Sequence, residues 1–300
     1  MPGRPTSPRP LTIVADDYGI GRETSRGILE LAAERHVTAA VLIVNAPDAH
    51  RAARAWLAAE PPADLGWHAN LTIDRPILPA SCVPSLVRAN GSFWPLRSFL
   101  RRACLGMIRG ADVAAEWQAQ YTRFVDLVGR PPALVNSHQH VSLFPPCDAA
   151  LLRVLREANA RPYLRRVIES GGALARVPGA RVKRATLSFL GRRAARRAVA
   201  AGLPGCDRLA GVTDPACVAD ERFWDRRLGQ LSTGSVEICC HPGYHDETLV
   251  GRDCDGGDGL LRRPRESALL RAPSFRAACD RAGLVPIRPS ALPGPRTGGP

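Results

Sequence analysis

Four short patches of this sequence contain the residue types that bind metal ions and move protons. They are Ala15-Asp16-Asp17-Tyr18-Gly19, Gly66-Trp67-His68-Ala69-Asn70-Leu71, Asn136-Ser137-His138-Gln139-His140 and Cys239-Cys240-His241-Pro242-Gly243. One aspartate and two histidines brought together make a divalent-metal site with open positions, and a second aspartate remains free to act as a base. The chemistry therefore depends on whether the fold brings these patches together.

Each patch follows or ends an apolar run that is typical of a buried strand. The predicted strands cover residues 11–15, 38–44, 64–71, 133–137 and 235–240. Helical spacing of apolar residues predicts helices that include 48–60, 112–128, 148–159, 220–231 and 267–282. This alternation favours an α/β fold with a parallel, barrel-like sheet, in which the carboxyl ends of the strands converge on one rim.

Taken singly, each patch has a simpler interpretation. Asp16-Asp17 is also typical of phospho-acceptor receiver domains, or of an acid that caps a helix, and a lone histidine such as His68 is often a core residue. Adjacent residues of an extended strand point to opposite sides, so Asp16 and Asp17 should differ in role. His138 and His140 would share one face of such a strand. Only the combination points to a metal site.

Composition limits the class of protein. The chain has 300 residues and is 45% hydrophobic, which is enough for one large α/β domain. It has no apolar run of about 18 residues, so no transmembrane segment is expected. Nine cysteines without a CxxC motif favour a reducing, cytoplasmic location. We expect a disordered leader at 1–10, a single domain at 11–288 and a flexible tail at 289–300. The loop at 76–99 and the stretch 161–214 have no clear pattern.

The net charge of +13 is concentrated in one segment. Residues 153–197 hold thirteen Lys or Arg against two acids, and Lys183 is the one lysine of the chain. Without a nucleic-acid motif, a solvated helix face is the favoured interpretation and no nucleic-acid partner is expected. An anionic ligand, a membrane surface or nucleic acid remain the alternatives.

The order of the motifs resembles the YdjC/ChbG family of metal-dependent carbohydrate deacetylases, which includes hopanoid-associated relatives. The resemblance covers residues 11–289. The matching motifs are A-D-D-[FY]-G at 15–19, V-N-A-P at 44–47, G-x-H-x-N-L-T at 66–72, S-H-Q-H-V at 137–141, F-P at 144–145, H-P-G-Y at 241–244 and R-x-x-E at 263–266. It implies a distorted, TIM-like parallel (β/α) barrel related to the polysaccharide deacetylase barrels.

The resemblance also implies roles for individual residues. Asp17, His68 and His138 match the metal ligands, Asp16 the general base and His241 the general acid. Tyr18, Asn70, His140 and Arg263 are predicted to contact the substrate, and Arg263 could instead orient the acid or the base. The implied cofactor is one divalent ion, Mg or Zn. Two positions depart from the family pattern, because Asn136 stands where the family has Asp and Ser142 where it has His.

The implied reaction is removal of the acetyl group from an N-acetylated amino sugar, on an oligosaccharide or a glycolipid, with release of acetate. Two alternatives stay open. One is another metal-dependent hydrolase that cleaves a phosphoester or a different amide. The other is a non-enzymatic, Arg-rich barrel that binds anions. A homodimer is a further open alternative.

Overall fold

Within the residues that the structure describes, eight parallel strands form the centre of the protein. They are β1 (Arg9–Tyr18), β2 (Ala39–Leu42), β3 (Asp64–Ala69), β4 (Leu134–Ser137), β5 (Tyr163–Leu164), β6 (Arg208–Ala210), β7 (Val236–Cys240) and β8 (Leu284–Pro286). The computed structural model describes residues 8–231 and 233–293. The strand order is β5-β4-β3-β2-β1-β7-β6, and β8 pairs with the beginning of β1.

Helices connect the strands and pack on the outside of the sheet. They are α1 (Arg22–Ala33), α2 (Ala49–Ala59), α3 (Leu96–Cys104), α4 (Gly110–Val128), α5 (Cys147–Glu157), α6 (Gly171–Arg176), α7 (Arg181–Ala200), α8 (Phe223–Leu228), α9 (Asp258–Arg271) and α10 (Pro273–Arg281). Parallel strands need such crossovers, because a short turn cannot return the chain to the same end of the sheet. No helix in the described ranges is long and apolar enough to cross a bilayer.

The sheet closes into a distorted barrel. The edge strands β5 and β6 are joined through the backbone of their neighbours, where Leu209 N–H donates to Ile168 O and Leu164 N–H donates to Pro204 O, each at 2.8 Å. The predicted α/β class and parallel (β/α) barrel are therefore confirmed. The predicted strands at 64–71, 133–137 and 235–240 match β3, β4 and β7 to within two residues.

Three predicted boundaries are wrong. Arg9 and Pro10 belong to β1 and pair with β8, so they are not disordered as predicted; residues 1–7 lie outside the described ranges. Ser290 falls in the predicted flexible tail but is held by Asp64, to which its N–H donates at 2.8 Å; residues 294–300 lie outside the described ranges. The closing helix at 267–282 is two helices, since Ala272 is extended and Pro273 cannot continue the hydrogen bonding of α9.

One close approach between strands requires glycine. A Cβ added at Gly66 in β3 would lie 2.2 Å from Leu134 O in β4. The Cβ would be attached to the backbone of β3, and Leu134 O belongs to the backbone of β4. Neither strand can move away without disturbing the pairing of the sheet. Glycine is therefore required for β3 to approach β4, and with it His68 to approach the residues that follow β4.

We expect Gly66→Ala to lower the free energy of unfolding by about 2 kcal/mol, the size of a typical overpacking penalty. Urea unfolding followed by circular dichroism measures this. Gly171→Ala is the matched control, because a Cβ at Gly171 meets nothing within 4 Å. Alanine there should leave the stability unchanged or raise it. Equal unfolding midpoints for Gly66→Ala and the unmodified protein would contradict the packing argument.

Candidate metal centre and catalytic rim

The carboxyl ends of four strands bring the predicted patches together. Asp16 and Asp17 end β1, His68 lies in β3, His138 follows β4 and His241 follows β7. One cavity at the rim of the barrel is lined by Asp16, Asp17, His138 and His241, and His68 contacts Asp17 at 3.2 Å. The fold thus places the predicted chemistry in one site.

A break in the regular strand geometry explains how both aspartates reach the cavity. Asp17 has a left-handed backbone with φ of 67°, and the pairing of β1 with β2 shifts register between Ala15 and Tyr18. A left-handed non-glycine residue is uncommon, and bulges of this kind redirect side chains at the ends of strands. Adjacent carboxylates therefore both face the rim, which regular alternation would not allow.

Asp17, His68 and His138 form a group that fits one metal ion. Asp17 Oδ1 lies 3.2 Å from His68 Nε2 and 2.9 Å from His138 Nδ1. Ligand atoms that each lie about 2.0–2.2 Å from one ion are about 3 Å apart around it. All three side chains are buried. The spacing and the nitrogen–oxygen donor set suit zinc or another borderline divalent ion.

Asn136 orients one of these histidines. Its Oδ1 hydrogen-bonds His68 Nδ1, and its Nδ2 donates to Asp16 Oδ1 at 3.0 Å. The bond to Nδ1 keeps the proton on that nitrogen and leaves the Nε2 lone pair facing Asp17, as is usual for histidines that bind metals. Asn136, which stands where the family has Asp, therefore still supports a predicted metal ligand, His68. Ser142 instead closes the turn after β4, where its Oγ accepts from Ser137 Oγ at 2.7 Å.

Asp253 and Arg263 contact the group formed by Asp17, His68 and His138. Arg263 Nη2 donates to Asp17 Oδ2 at 2.8 Å and to Asp253 Oδ2 at 2.9 Å. Asp253 Oδ1 lies 3.4 Å from His138 Nε2, which has no hydrogen-bond partner among the described residues. Arg263 thus touches a predicted ligand, which supports an orienting role.

The ionisation of the group follows from these neighbours. Burial by itself would raise the pKa of Asp17, but Arg263 and His138 hold it well below its usual range. Burial would lower the pKa of His138, but Asp17 and Asp253 raise it to about 10. Without a metal the His138 ring is therefore doubly protonated and positively charged at neutral pH. A bound cation would replace one of these protons.

Asp16 is held by a different set of donors. Arg165 Nη1 and Nη2 donate to its two oxygens at 2.6 and 2.8 Å, and Cys239 Sγ lies 3.3 Å from Oδ2. Arg165 Nε also donates to Glu237 at 2.5 Å. Burial would raise the pKa of Asp16, but Arg165 and His68 lower it well below its usual range. Asp16 is thus a fixed, ionised carboxylate.

Asp16, Cys239 and His241 are also close enough together to be considered as a metal site. Both oxygens of Asp16 are already used by Arg165. Burial raises the pKa of the Cys239 thiol well above its usual value, and a neutral thiol is not a metal ligand. The group around Asp17 is the better candidate.

His241 faces Asp16 across the cavity. Its Nε2 lies 4.0 Å from Asp16 Oδ2, and its Nδ1 lies 3.0 Å from Arg262 Nη2. A guanidinium only donates, so Nδ1 accepts and the proton of the neutral ring sits on Nε2. Burial and Arg262 lower the pKa of His241 to about 4. Glu266 holds His241 and Arg262 together, because its carboxylate accepts from the backbone N–H of His241 at 2.6 Å and from Arg262 Nε at 2.7 Å.

The geometry after β4 differs from the prediction. His138 and His140 do not share the face of a strand, because β4 ends at Ser137 and Gln139 and His140 are left-handed, with φ of 53° and 57°. His140 still lines the cavity. Burial and Arg165 hold the pKa of His140 well below its usual value, so it offers a neutral ring.

Two of the residues predicted to contact substrate lie elsewhere. Tyr18 is fully buried in the core, where its hydroxyl donates to Ala52 O at 2.8 Å and its ring packs on Trp56. Asn70 is also buried, and its amide holds the loop after β3 through Ile73 O at 2.9 Å. Their placement gives no support to a direct role in binding.

Several residues of the site were missed in the sequence. Arg165, Asp253 and Arg262 lie in segments without a recognised motif, and arginine is so abundant here that no single one stands out. Glu237 did give a signal, because it is the one charged residue in the apolar strand β7. A buried charge within a strand needs a partner, which here is Arg165.

Comparisons with known proteins give matches over most of the chain. A family model described as YdjC-like protein matches residues 10–281. A mouse protein named carbohydrate deacetylase is 30% identical over 290 residues, which cover 91% of this chain and 92% of the relative. A Yersinia pestis protein named chitooligosaccharide deacetylase is 27% identical over 275 residues, which cover 91% of this chain and 95% of the relative.

A solved structure agrees with the fold. A crystal structure from Enterococcus faecalis V583, named for a proposed role in cellobiose-phosphate cleavage, superposes with a TM-score of 0.73 at 24% identity. The match covers 95% of this chain and 99% of that chain. At this level of identity the likeness supports the barrel architecture.

We expect Asp17→Asn and His138→Ala to weaken zinc binding by more than about 100-fold, which is beyond the loss typical of a residue that only orients a ligand. Isothermal titration of the metal-free protein measures this. His36→Ala removes a histidine distant from the rim and should bind zinc normally. Strong zinc binding that survives Asp17→Asn but is lost in Asp16→Asn would instead place the ion between Asp16, Cys239 and His241.

Proposed function

Because the chain belongs to the YdjC-like protein family, we propose that it is a metal-dependent carbohydrate deacetylase. Its reaction is hydrolysis of the acetamido group of an N-acetylated amino sugar, carried on an oligosaccharide or a glycolipid, with release of acetate. One observation carries the proposal: two members of the buried group Asp17, His68 and His138, namely Asp17 and His138, line the same cavity as Asp16 and His241. The two deacetylase relatives support the same chemistry.

Asp17, His68 and His138 would hold the divalent ion, Mg or Zn. When bound, such an ion supplies Lewis-acid polarisation of the acetyl carbonyl and lowers the pKa of a water toward about 7. The protein residues fix where this happens. Asn136 sets the tautomer of His68, and Arg263 fixes the carboxylate of Asp17. These contacts hold the ligand atoms in place before a substrate arrives.

Asp16 is the residue that takes the proton from the attacking water. Its low pKa keeps it ionised over the working range of pH, and Arg165 fixes its orientation. The same donors make it a weak base, so the proton must pass on. His241 lies beside Asp16, with Nε2 4.0 Å from Oδ2, but Nε2 already carries the proton of the neutral ring. The incoming proton therefore goes to Nδ1, which Arg262 must release.

His241 completes the reaction as the acid. The neutral ring gains at Nδ1 the proton that Asp16 removed, and the resulting imidazolium gives its Nε2 proton to the sugar nitrogen as the C–N bond breaks. The amine leaves neutral, and the acyl group leaves as acetic acid, which loses its proton to solvent and becomes acetate. Arg262 limits how long the charge stays on His241, because a positive neighbour disfavours the protonated ring.

We expect purified protein to release acetate from N-acetylglucosamine oligosaccharides when zinc or magnesium is present and to stop when a chelator is added. Asp16→Asn should lower kcat by about 100-fold or more, the usual contribution of a general base, with zinc affinity retained. Asp126→Asn, on the surface of α4, is the isosteric control. Release of phosphate from phosphoesters without release of acetate would instead favour the other hydrolase class.

We expect the acid limb of kcat/KM to lie near pH 4, because His241 must be neutral in the free enzyme to receive the proton and its pKa is about 4. An unperturbed histidine would place this limb near pH 6.5. Arg262→Gln removes the positive neighbour and should move the limb upward. Arg262→Lys keeps the charge and should leave the limb near that of the unmodified enzyme. A limb that lies near pH 6.5 in the unmodified enzyme would contradict this assignment.

A further inference from the structure

The helix α7 presents an unusual outer surface. It contains seven basic residues and no acid. Val182 and Phe189 on this helix are 82% and 77% exposed, more than any other large hydrophobic side chain in the described ranges. Isolated exposed apolar residues are common, but these two lie in the most basic segment of the chain. The combination requires an explanation.

The exposed residues of α7 form one stripe. Phe189 lies seven residues after Val182, and Arg193 and Arg196 lie four and seven residues after Phe189. Residues at these spacings share one face of a helix. From Val182 to Arg196 the stripe is about 21 Å long at the usual rise per residue. It places apolar residues toward the beginning of α7 and arginines toward its end.

The inner side of α7 fixes the orientation of this stripe. Arg184 is buried and donates to Glu169 Oε2 at 2.6 Å, and Arg227 donates to the other oxygen of Glu169 at 2.8 Å. Gly191 lies so close to Val167 that a Cβ would be 1.9 Å from its carbonyl oxygen. The helix therefore cannot rotate to bury Phe189 without breaking a buried ion pair.

The outward arginines are available for a partner. Arg181, Arg192, Arg193 and Arg196 form no ion pair or hydrogen bond within the part of the chain that the structure describes. Arg192 and Arg196 also line an open groove together with Arg166 and Arg208. The one acid in this groove, Asp207, is engaged by Ser235 N–H and Oγ, each at 2.9 Å. The groove therefore has a strong positive potential.

We propose that the outward face of α7 docks on the surface of an anionic lipid bilayer. Phe189 and Val182 would enter the boundary between headgroups and acyl chains, and the arginines would contact lipid phosphates. Helices that lie in this boundary combine apolar anchors with Lys and Arg, and their affinity depends on both. Lys183 on the same helix lines the active-site cavity, so docking would bring the cavity entrance close to the bilayer.

The same stripe fits other partners less well. A two-fold dimer through α7 would place its basic residues against those of the second copy, with no acid on the helix to balance them. A nucleic acid would match the charge, but its backbone phosphates offer no apolar surface for Val182 and Phe189. A bilayer with anionic headgroups matches both the charge and the exposed apolar area.

Co-sedimentation of the full chain with vesicles tests the proposal. The vesicles contain equal parts phosphatidylglycerol and phosphatidylcholine, and pure phosphatidylcholine vesicles serve as the reference. We expect binding to the anionic vesicles that weakens as salt is raised. Val182→Ser with Phe189→Ser should weaken it at least about tenfold, given the burial energy of such side chains. Arg193→Glu with Arg196→Glu should weaken it about 30-fold or more, at roughly fivefold per arginine lost.

Matched variants elsewhere on the surface serve as controls. Leu105→Ser removes a side chain that is 63% exposed after α3, and Arg123→Glu reverses a charge on the exposed side of α4. Both should bind vesicles like the unmodified protein, and thermal unfolding confirms that all variants are folded. No preference for anionic vesicles, or equal losses in the controls, would overturn the proposal. So would a dimer that depends on Phe189, or tighter binding to a DNA duplex than to the vesicles.

Discussion

Two adjacent carboxylates buried at the end of one strand are the constraint on which the rest of the site depends. Asp16 and Asp17 are at most 3% exposed. Burying like charges side by side is unfavourable unless each has a partner. Each carboxylate is held by an arginine from a distant segment, Arg165 after β5 and Arg263 on α9. Arg165 follows the edge strand β5, four strands from β1 in the sheet, so its bonds to Asp16 span the interior of the barrel.

The charge of the buried cluster explains why a cation belongs there. The carboxylates of Asp16, Asp17, Asp253 and Glu237 contact two guanidiniums, those of Arg165 and Arg263. Two positive charges are missing if all four acids are ionised. Part of the deficit is met in the metal-free protein by protonation of His138, whose pKa is raised to about 10. A divalent ion that displaces this proton would balance the cluster, whereas the neutral pair of His140 and His241 adds no charge.

The strands and the rim residues could be predicted from the sequence because they depend on local patterns. Apolar runs ending in Asp or His identify strands whose carboxyl ends share one rim, and β1, β3, β4 and β7 follow that rule. Contacts between distant segments carry no such local pattern. Arg165, Asp253 and Arg262 are recognised only when the fold shows which carboxylate or imidazole each one touches. The backbone at Gln139 and His140 was not predictable from a local pattern either. The sequence favours a continuing strand there, but β4 ends at Ser137 and both residues are left-handed. Tyr18 likewise belongs to the core, although it directly follows Asp16 and Asp17 in sequence.

The central claim is that Asp17, His68 and His138 hold one divalent ion beside Asp16. A crystal structure of the zinc-loaded protein, with anomalous diffraction measured at the zinc absorption edge, tests it most directly. The account predicts one anomalous peak at the rim, within bonding distance of Asp17, His68 and His138, with Asp16 still bound to Arg165. A peak between Asp16, Cys239 and His241, or a zinc-loaded crystal with no peak at the rim, would contradict it.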